Sequence, residues 1–366
     1  MPPEGNFICQ TARVIPIGRL DALDGLRALA VLGVLFAHVG YYIAPGGFRG
    51  VDVFFVLSGF LITRILASER EQHGSISLSR FHARRALRLY PALMSAVLLC
   101  LIFYRTLYGS IGSWWQEAWL SLTYLMDIAR ATGWRPPQAA GPLAVTWTLG
   151  VEEHFYLLWP LVLALLLSRL GRRAAGLLSW VIAGLSWLAL FVVASNGGNP
   201  DEIFYRPDLR AAGLFVGSAV ALTGLRVPVR VLPGASAVSL LLIVSLLQAG
   251  GSVSIPLTYE LKLPLVWLAT ATLLQTSSLR LPGWALRILS LAPLAYVGRI
   301  SYGIYVYHLA LLGLISAQSL RFAIRMPLFV LVPIAVAALS FRYVELPFLR
   351  LKERRFAGVA KPVGVG

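Results

Sequence analysis

The sequence predicts an all-α, polytopic integral membrane protein with about ten transmembrane helices and one interfacial or re-entrant helix. Three observations carry this reading. Apolar residues make up 58% of the 366-residue chain and charged residues only 13%, with a mean hydropathy of +0.74. A soluble domain carries about a quarter charged residues, and a disordered chain also needs high charge and few apolar groups. The apolar residues fall in blocks long enough to cross a bilayer. Of the 32 basic residues only Lys262, Lys352 and Lys361 are lysines, and most basic residues sit in the gaps between blocks. That is the positive-inside pattern. The net charge of +16 is therefore read as membrane topology, and no nucleic-acid partner is expected.

The blocks run over 22–43, 51–67, 91–108, 143–168, 175–195, 208–224, 231–250, 257–276, 291–318 and 326–345. The stretch 114–128 is shorter and holds Gln116, Glu117 and Asp127. It reads as an interfacial helix with Trp114, Trp115 and Trp119 at headgroup level. Counted as a crossing, it would move Arg169, Arg172 and Arg173 to the outside, against the charge rule. With ten crossings, both termini are cytoplasmic: a tail at 1–19, a transmembrane domain at 20–350 and a second tail at 351–366. Arg13 and Arg19 precede a first block that is too long for a cleavable signal and lacks a small-residue cleavage site. The stretches 133–142 and 196–207 are the longest outer loops. Cys9 and Cys100 are the only cysteines, which leaves neither a disulfide framework nor a cysteine metal site. No internal repeat at a fixed period is evident, which argues against a transporter of inverted halves.

Ionisable side chains inside spans are functional candidates, because each is costly unless paired or hydrated. Arg27 and His38 are eleven residues apart, which returns them to within about 20° of one helix face, displaced by about 16 Å. The structural alternative is a snorkelling arginine and a helix–helix hydrogen bond. Histidine is the usual proton acceptor near neutral pH and acts best when an acid orients it. Asp52, just after the Gly46–Gly50 turn, and Glu152 and Glu153 are candidate acids. The two adjacent glutamates point about 100° apart, so one is expected to face the bundle centre and the other to meet Arg210 or water. The Arg84-Arg85-x-x-Arg88 cluster puts Arg85 and Arg88 on one side of a short helix that Pro91 ends or kinks. Guanidinium forks match phosphate geometry. Tyr302, Tyr305 and His308 share i, i+3 spacing and form either a polar seam or part of a substrate cavity. His73 and His82 read as solvated loop residues. The histidines are dispersed, so no metal site is expected.

Six segments together resemble the acyltransferase family 3 membrane proteins, which O-acylate bacterial surface glycans and some antibiotics. They are Leu20–Ala30 with His38, Gly47–Ile62 including Phe48, Arg85-x-x-Arg88, Trp147–Tyr156, Tyr302–His308 and Tyr343–Phe348. The resemblance runs from Arg19 to about Arg350. It implies that His38 is catalytic, that Arg27, Arg85 and Arg88 contact an acyl-CoA donor, and that Glu152 is the family's intramembrane glutamate. Two positions depart from the family pattern: His154 stands where a glutamine is usual, and Tyr307 where a tryptophan is common.

The resemblance places the chain in a bacterial cytoplasmic membrane, with acyl-CoA, expected to be acetyl-CoA, as co-substrate and no tightly bound cofactor. The acceptor is expected to be a hydroxyl of a cell-surface glycan or its lipid-linked precursor, and membrane lipid surrounds the chain. A macrolide or other secreted metabolite is the enzymatic alternative, and a proton-coupled transporter is the alternative from another class. The sequence ends about twenty residues past its last span, so the expectation is that it completes the transfer itself or passes the acyl group to a separate extracytoplasmic transferase.

Overall fold

The first apolar block forms a helix because its start carries Asp21 and Asp24 against the helix dipole and its interior is Leu, Ala and Val. In the computed structural model, which describes residues 21–39, 44–134, 141–250 and 261–356, this is α1, Asp21–Val39. A 3₁₀ turn at Gly47–Arg49 leads into α2, Gly50–His73. Gly74 ends α2 with φ +70°, its N–H donating to the Arg70 carbonyl, a left-handed cap that favours glycine. The described residues contain helices and turns and no strand.

α3, Leu78–Ile102, starts well before the expected 91 and runs through Pro91. The Arg85 and Arg88 segment is therefore continuous with the span, not a separate short helix. His82 sits inside α3 and not in a loop. The end of the expected 91–108 block forms a separate short helix, α4 Tyr104–Tyr108, and the interfacial stretch resolves into α5 Ile111–Leu122 and α6 Met126–Ala131. Ser110 caps α5 by accepting from the Ser113 N–H at 3.2 Å.

A 3₁₀ segment, Pro142–Thr146, precedes α7, Trp147–Arg169, and α8, Gly171–Ser195, follows at once. On α7, Leu157, Leu161 and Leu165 are 59%, 53% and 58% exposed at i, i+4 spacing, the stripe a lipid-facing helix presents. Three helices come next: α9 Pro200–Tyr205, α10 Pro207–Arg210 and α11 Ala212–Thr223. α11 packs mainly against α2 and α8.

The second half contains α12 Leu232–Gln248, α13 Leu263–Ser278, α14 Trp284–Leu289, α15 Ala292–Arg299, α16 Ser301–Ser316 and α17 Phe322–Ser340. A π turn at Phe341–Glu345 joins α17 to α18, Leu346–Phe356. α1 is the central element, touching α2, α14, α15 and α16.

Among the described residues, seven helical stretches are long and apolar enough to cross a membrane: 21–39, 47–73, 78–102, 142–169, 171–195, 229–248 and 322–356. The remaining three of the ten expected crossings fall on shorter helices. α11 has 12 residues, while α13 and α16 have 16 each, against the ~20 needed for a bilayer core. Block 291–318 is broken at Ile300 into α15 and α16. The tails at 1–19 and 357–366, with Arg13, Arg19, Cys9 and Lys361, lie outside the described residues.

Candidate active site

The Arg27 and His38 pair lies on α1 as its spacing requires. His38 is exposed in the last turn of α1, with Nδ1 2.8 Å from the Val34 carbonyl oxygen. A carbonyl only accepts, so Nδ1 carries the hydrogen and Nε2 carries the lone pair of the neutral ring. Arg27, a helix-length of about 16 Å away, donates through Nη1 to Asp24 Oδ1 at 2.8 Å.

The ring beside His38 belongs to His308. Their centroids are 4.9 Å apart with the planes at 63°. His308 is 1% exposed and its Nδ1 lies 2.6 Å from the Tyr305 carbonyl oxygen. Three turns of sequence pattern did not foretell this partner, since the two histidines are 270 positions apart.

Asp52 does not orient His38. Its Oδ2 accepts from Arg210 Nη2 at 2.8 Å and its Oδ1 from Trp267 Nε1 at 3.0 Å. The side chains of Arg210 and Asp52 are 1% and 0% exposed. A buried guanidinium requires such a partner, which explains why Asp52 turns toward α10 and α13. The expected pairing of one of the two glutamates with Arg210 is likewise corrected: Glu153 Oε1 accepts from Arg85 Nη2 at 3.1 Å. Glu152 accepts from the Ser58 hydroxyl at 2.6 Å. The two adjacent glutamates thus diverge, as their 100° offset demands.

The three arginines of the predicted donor site come together. Arg88 is exposed and feels the charges of Arg27 and Arg85, with Asp24 and Tyr156 also acting on it. The Arg85 guanidinium carbon lies 3.2 Å from the Tyr156 ring centroid, a cation–π contact. Arg85, Glu153, His154, Tyr90, Tyr124 and His82 line a cavity of about 280 Å³. His154 Nδ1 is 3.1 Å from Asp127 Oδ2, and Asp127 is fully buried. This accounts for a histidine at the position where the family pattern has glutamine: an acid on α6 lies against it.

The other candidates serve neighbouring walls. Gly47 lies so close to the Gly33 carbonyl that a Cβ there would overlap it, so the turn after α1 requires glycine. Phe48 meets Phe204 at 6.2 Å, and Trp147 meets Phe204 and Tyr205 at 4.9 and 5.2 Å. These rings cover the buried Arg210, whose guanidinium carbon lies 5.4 Å from the Phe204 centroid and 5.9 Å from that of Trp147. Tyr302, Tyr305 and His308 do not form one seam. Tyr302 donates to the Leu89 carbonyl at 3.0 Å, and Tyr305 to the Val145 carbonyl at 3.0 Å. Each i, i+3 step drifts by about 60°, so Tyr302 and His308 face different helices. The Tyr307 hydroxyl bridges Ser95 at 2.5 Å and Ser340 at 2.9 Å, a reason for tyrosine at that position.

Sequence reasoning missed Ser58, Tyr156 and Asp127 as site neighbours and gave Arg210 the wrong partner. Ser58 and Tyr156 stand inside the quoted motifs, so the motifs were the available signal. Asp127 and Arg210 are assigned only by long-range contact. Among the described residues no group of three or more His, Cys, Asp or Glu side chains is arranged to hold a metal ion.

Compared with known families, residues 20–343 match the acyltransferase domain family. The chain belongs to this family, and with its apolar helices it is an integral membrane member of it. It is similar to the peptidoglycan O-acetyltransferase OatA of Listeria monocytogenes, 31% identical over 363 residues, covering 90% of this chain and 55% of that protein. It is also similar to the Putative peptidoglycan O-acetyltransferase YrhL of Bacillus subtilis, 29% identical over 376 residues, covering 92% of this chain and 56% of that protein. The chain spans about half the length of these relatives. No solved structure matches it.

Proposed function

We propose that this chain transfers an acetyl group from acetyl-CoA, bound on the cytoplasmic side, to a hydroxyl of a cell-wall glycan or its lipid-linked precursor. The single observation that carries this reading is the convergence of Arg27, Arg85 and Arg88 at one end of α1 while His38 stands exposed at the other. Guanidiniums suit the donor's phosphates, and ~16 Å along the helix suits the reach of an extended pantetheine arm. The names of the relatives support a glycan acceptor.

In this reading Nε2 of His38 takes the proton of the acceptor hydroxyl, since Nδ1 is committed to Val34. Arg88, exposed beside Arg27, takes a donor phosphate. Arg85 is held by Glu153 and Tyr156 and forms the wall behind it. In this reading both termini face the cytoplasm of a bacterial cell, and a separate extracytoplasmic transferase is one destination for the acyl group.

The test is the full chain purified in detergent and supplied with acetyl-CoA and peptidoglycan fragments. Release of CoA thiol, with acetyl esters found on the glycan by mass spectrometry, is the expected result. Thiol release that is unchanged by glycan, with no ester formed, overturns the acceptor assignment. No thiol release under any acceptor, from a folded protein, overturns the reaction.

A further inference from the structure

His308 is buried in the membrane domain, and its ring nitrogens are not equivalent. Nδ1 is satisfied by the Tyr305 carbonyl at 2.6 Å, so it bears the hydrogen and Nε2 bears the lone pair. Among the described residues Nε2 has no hydrogen-bond partner, although His308 is only 1% exposed. A buried acceptor without a donor is costly and rare in native proteins. With Nδ1 tied back to its own helix, the ring meets His38 on α1, at a centroid distance of 4.9 Å.

Among the described residues, His38 in turn lacks the acid that a catalytic histidine ordinarily has. Its Nδ1 is held by the neutral Val34 carbonyl, while Asp52 is used by Arg210 and Trp267, and Glu152 accepts from Ser58. We infer that His308 is the positioning residue of His38, its Nε2 lone pair stabilising the positive charge that His38 gains during acyl transfer. This rests on the acyl-transfer reading above. In that reaction the acceptor's O–H bond breaks and its proton goes to Nε2 of His38. The freed oxygen bonds the thioester carbon, and the C–S bond breaks with its electron pair going to sulfur. The thiolate then takes the proton from His38. The charge on His38 exists only between the two proton transfers, so a neutral lone pair that is fixed before the reaction favours the transition state over the resting enzyme.

Two substitutions separate this role from a structural one. His308→Asn keeps a donor where Nδ1 bonds Tyr305 and deletes the acceptor at Nε2. His308→Gln does the reverse. If His308 acts on His38, the asparagine variant loses about tenfold or more in kcat with donor KM unchanged, because the lone pair acts only on the charge formed during transfer, while the glutamine variant retains more activity. The opposite ranking, equal losses, or no loss in either overturns the inference. The same ranking is read without any substrate by the rate at which diethyl pyrocarbonate modifies His38, followed by peptide mass spectrometry of the folded full chain. A slower modification in the asparagine variant alone supports the inference, and equal rates in all three proteins overturn it. Because this second readout needs neither acetyl-CoA nor glycan, failure of the substrate assignment leaves it intact and is distinguished from failure of the pair.

Discussion

The guanidinium of Arg210 and the carboxylate of Asp52 meet at 2.8 Å with both side chains essentially unexposed, joining α10 to α2 inside the protein. Removing one partner leaves an uncompensated buried charge. Asp52→Asn is therefore expected to destabilise the protein by roughly 3–5 kcal/mol, and Asp52→Asn with Arg210→Met should recover much of the loss. Thermal melts in detergent check this. A catalytic role for Asp52 would instead lower turnover without lowering the melting temperature.

His38→Ala should abolish acyl transfer while leaving the chain folded, because the ring is exposed and, beside its edge contact with His308, is held by a hydrogen bond to its own helix at Val34. General acid–base groups contribute about 10²–10⁴-fold. Activity of the purified variant near the wild-type rate would remove His38 from the mechanism.

Arg88→Ala and Arg85→Ala should both weaken acetyl-CoA binding by about tenfold or more, each beyond the effect of Arg80→Ala. They should differ in stability. Arg85 is paired with Glu153 and stacked on Tyr156, whereas Arg88 is exposed, so only Arg85→Ala should also lower the melting temperature. Calorimetric titration with acetyl-CoA and melts of the same samples decide it.

Glu152→Gln should reduce turnover more than donor affinity, since the hydrogen bond of Glu152 is to Ser58, while the direct partner of Arg85 is Glu153. Glu153→Gln frees Arg85 and should act on stability and donor affinity together. A larger kcat effect at Glu153 would move the functional acid by one residue.

The topology has a direct test. Arg172 Nη1 bonds Glu71 Oε1 at 2.7 Å, so the end of α2 and the start of α8 share one side of the bundle. Asn196 follows the 25-residue α8, about 37 Å away. In a protein freed of Cys9 and Cys100, cysteines at 70 and 172 should label from the cytoplasm and at 196 from outside. Labelling of 172 from outside would make 111–131 a true crossing. Ala139, the matching outer position in the sequence reading, lies outside the described residues.

Much of this was legible in the residues. The Arg27 and His38 alignment follows from helix period alone, and the divergence of Glu152 from Glu153 follows from the same geometry. Helix ends and span lengths were less legible. α3 begins at Leu78 because Arg80, Arg84, Arg85 and Arg88 belong to one continuous helix, a charged turn that hydropathy reads as loop. The block 291–318 broke at Ile300 for reasons of packing against α1 that composition does not record.

The sequence by itself determined that the chain lies in a membrane, that it is helical, and which residues on each helix share a face, because hydropathy and a 3.6-residue period act locally. Only the tertiary structure decided the partners: Asp52 with Arg210, Glu153 with Arg85, and His38 with His308. A charge buried inside the protein must be satisfied by whatever group packing brings within about 3 Å, and residues from helices far apart in the chain meet only when the bundle closes.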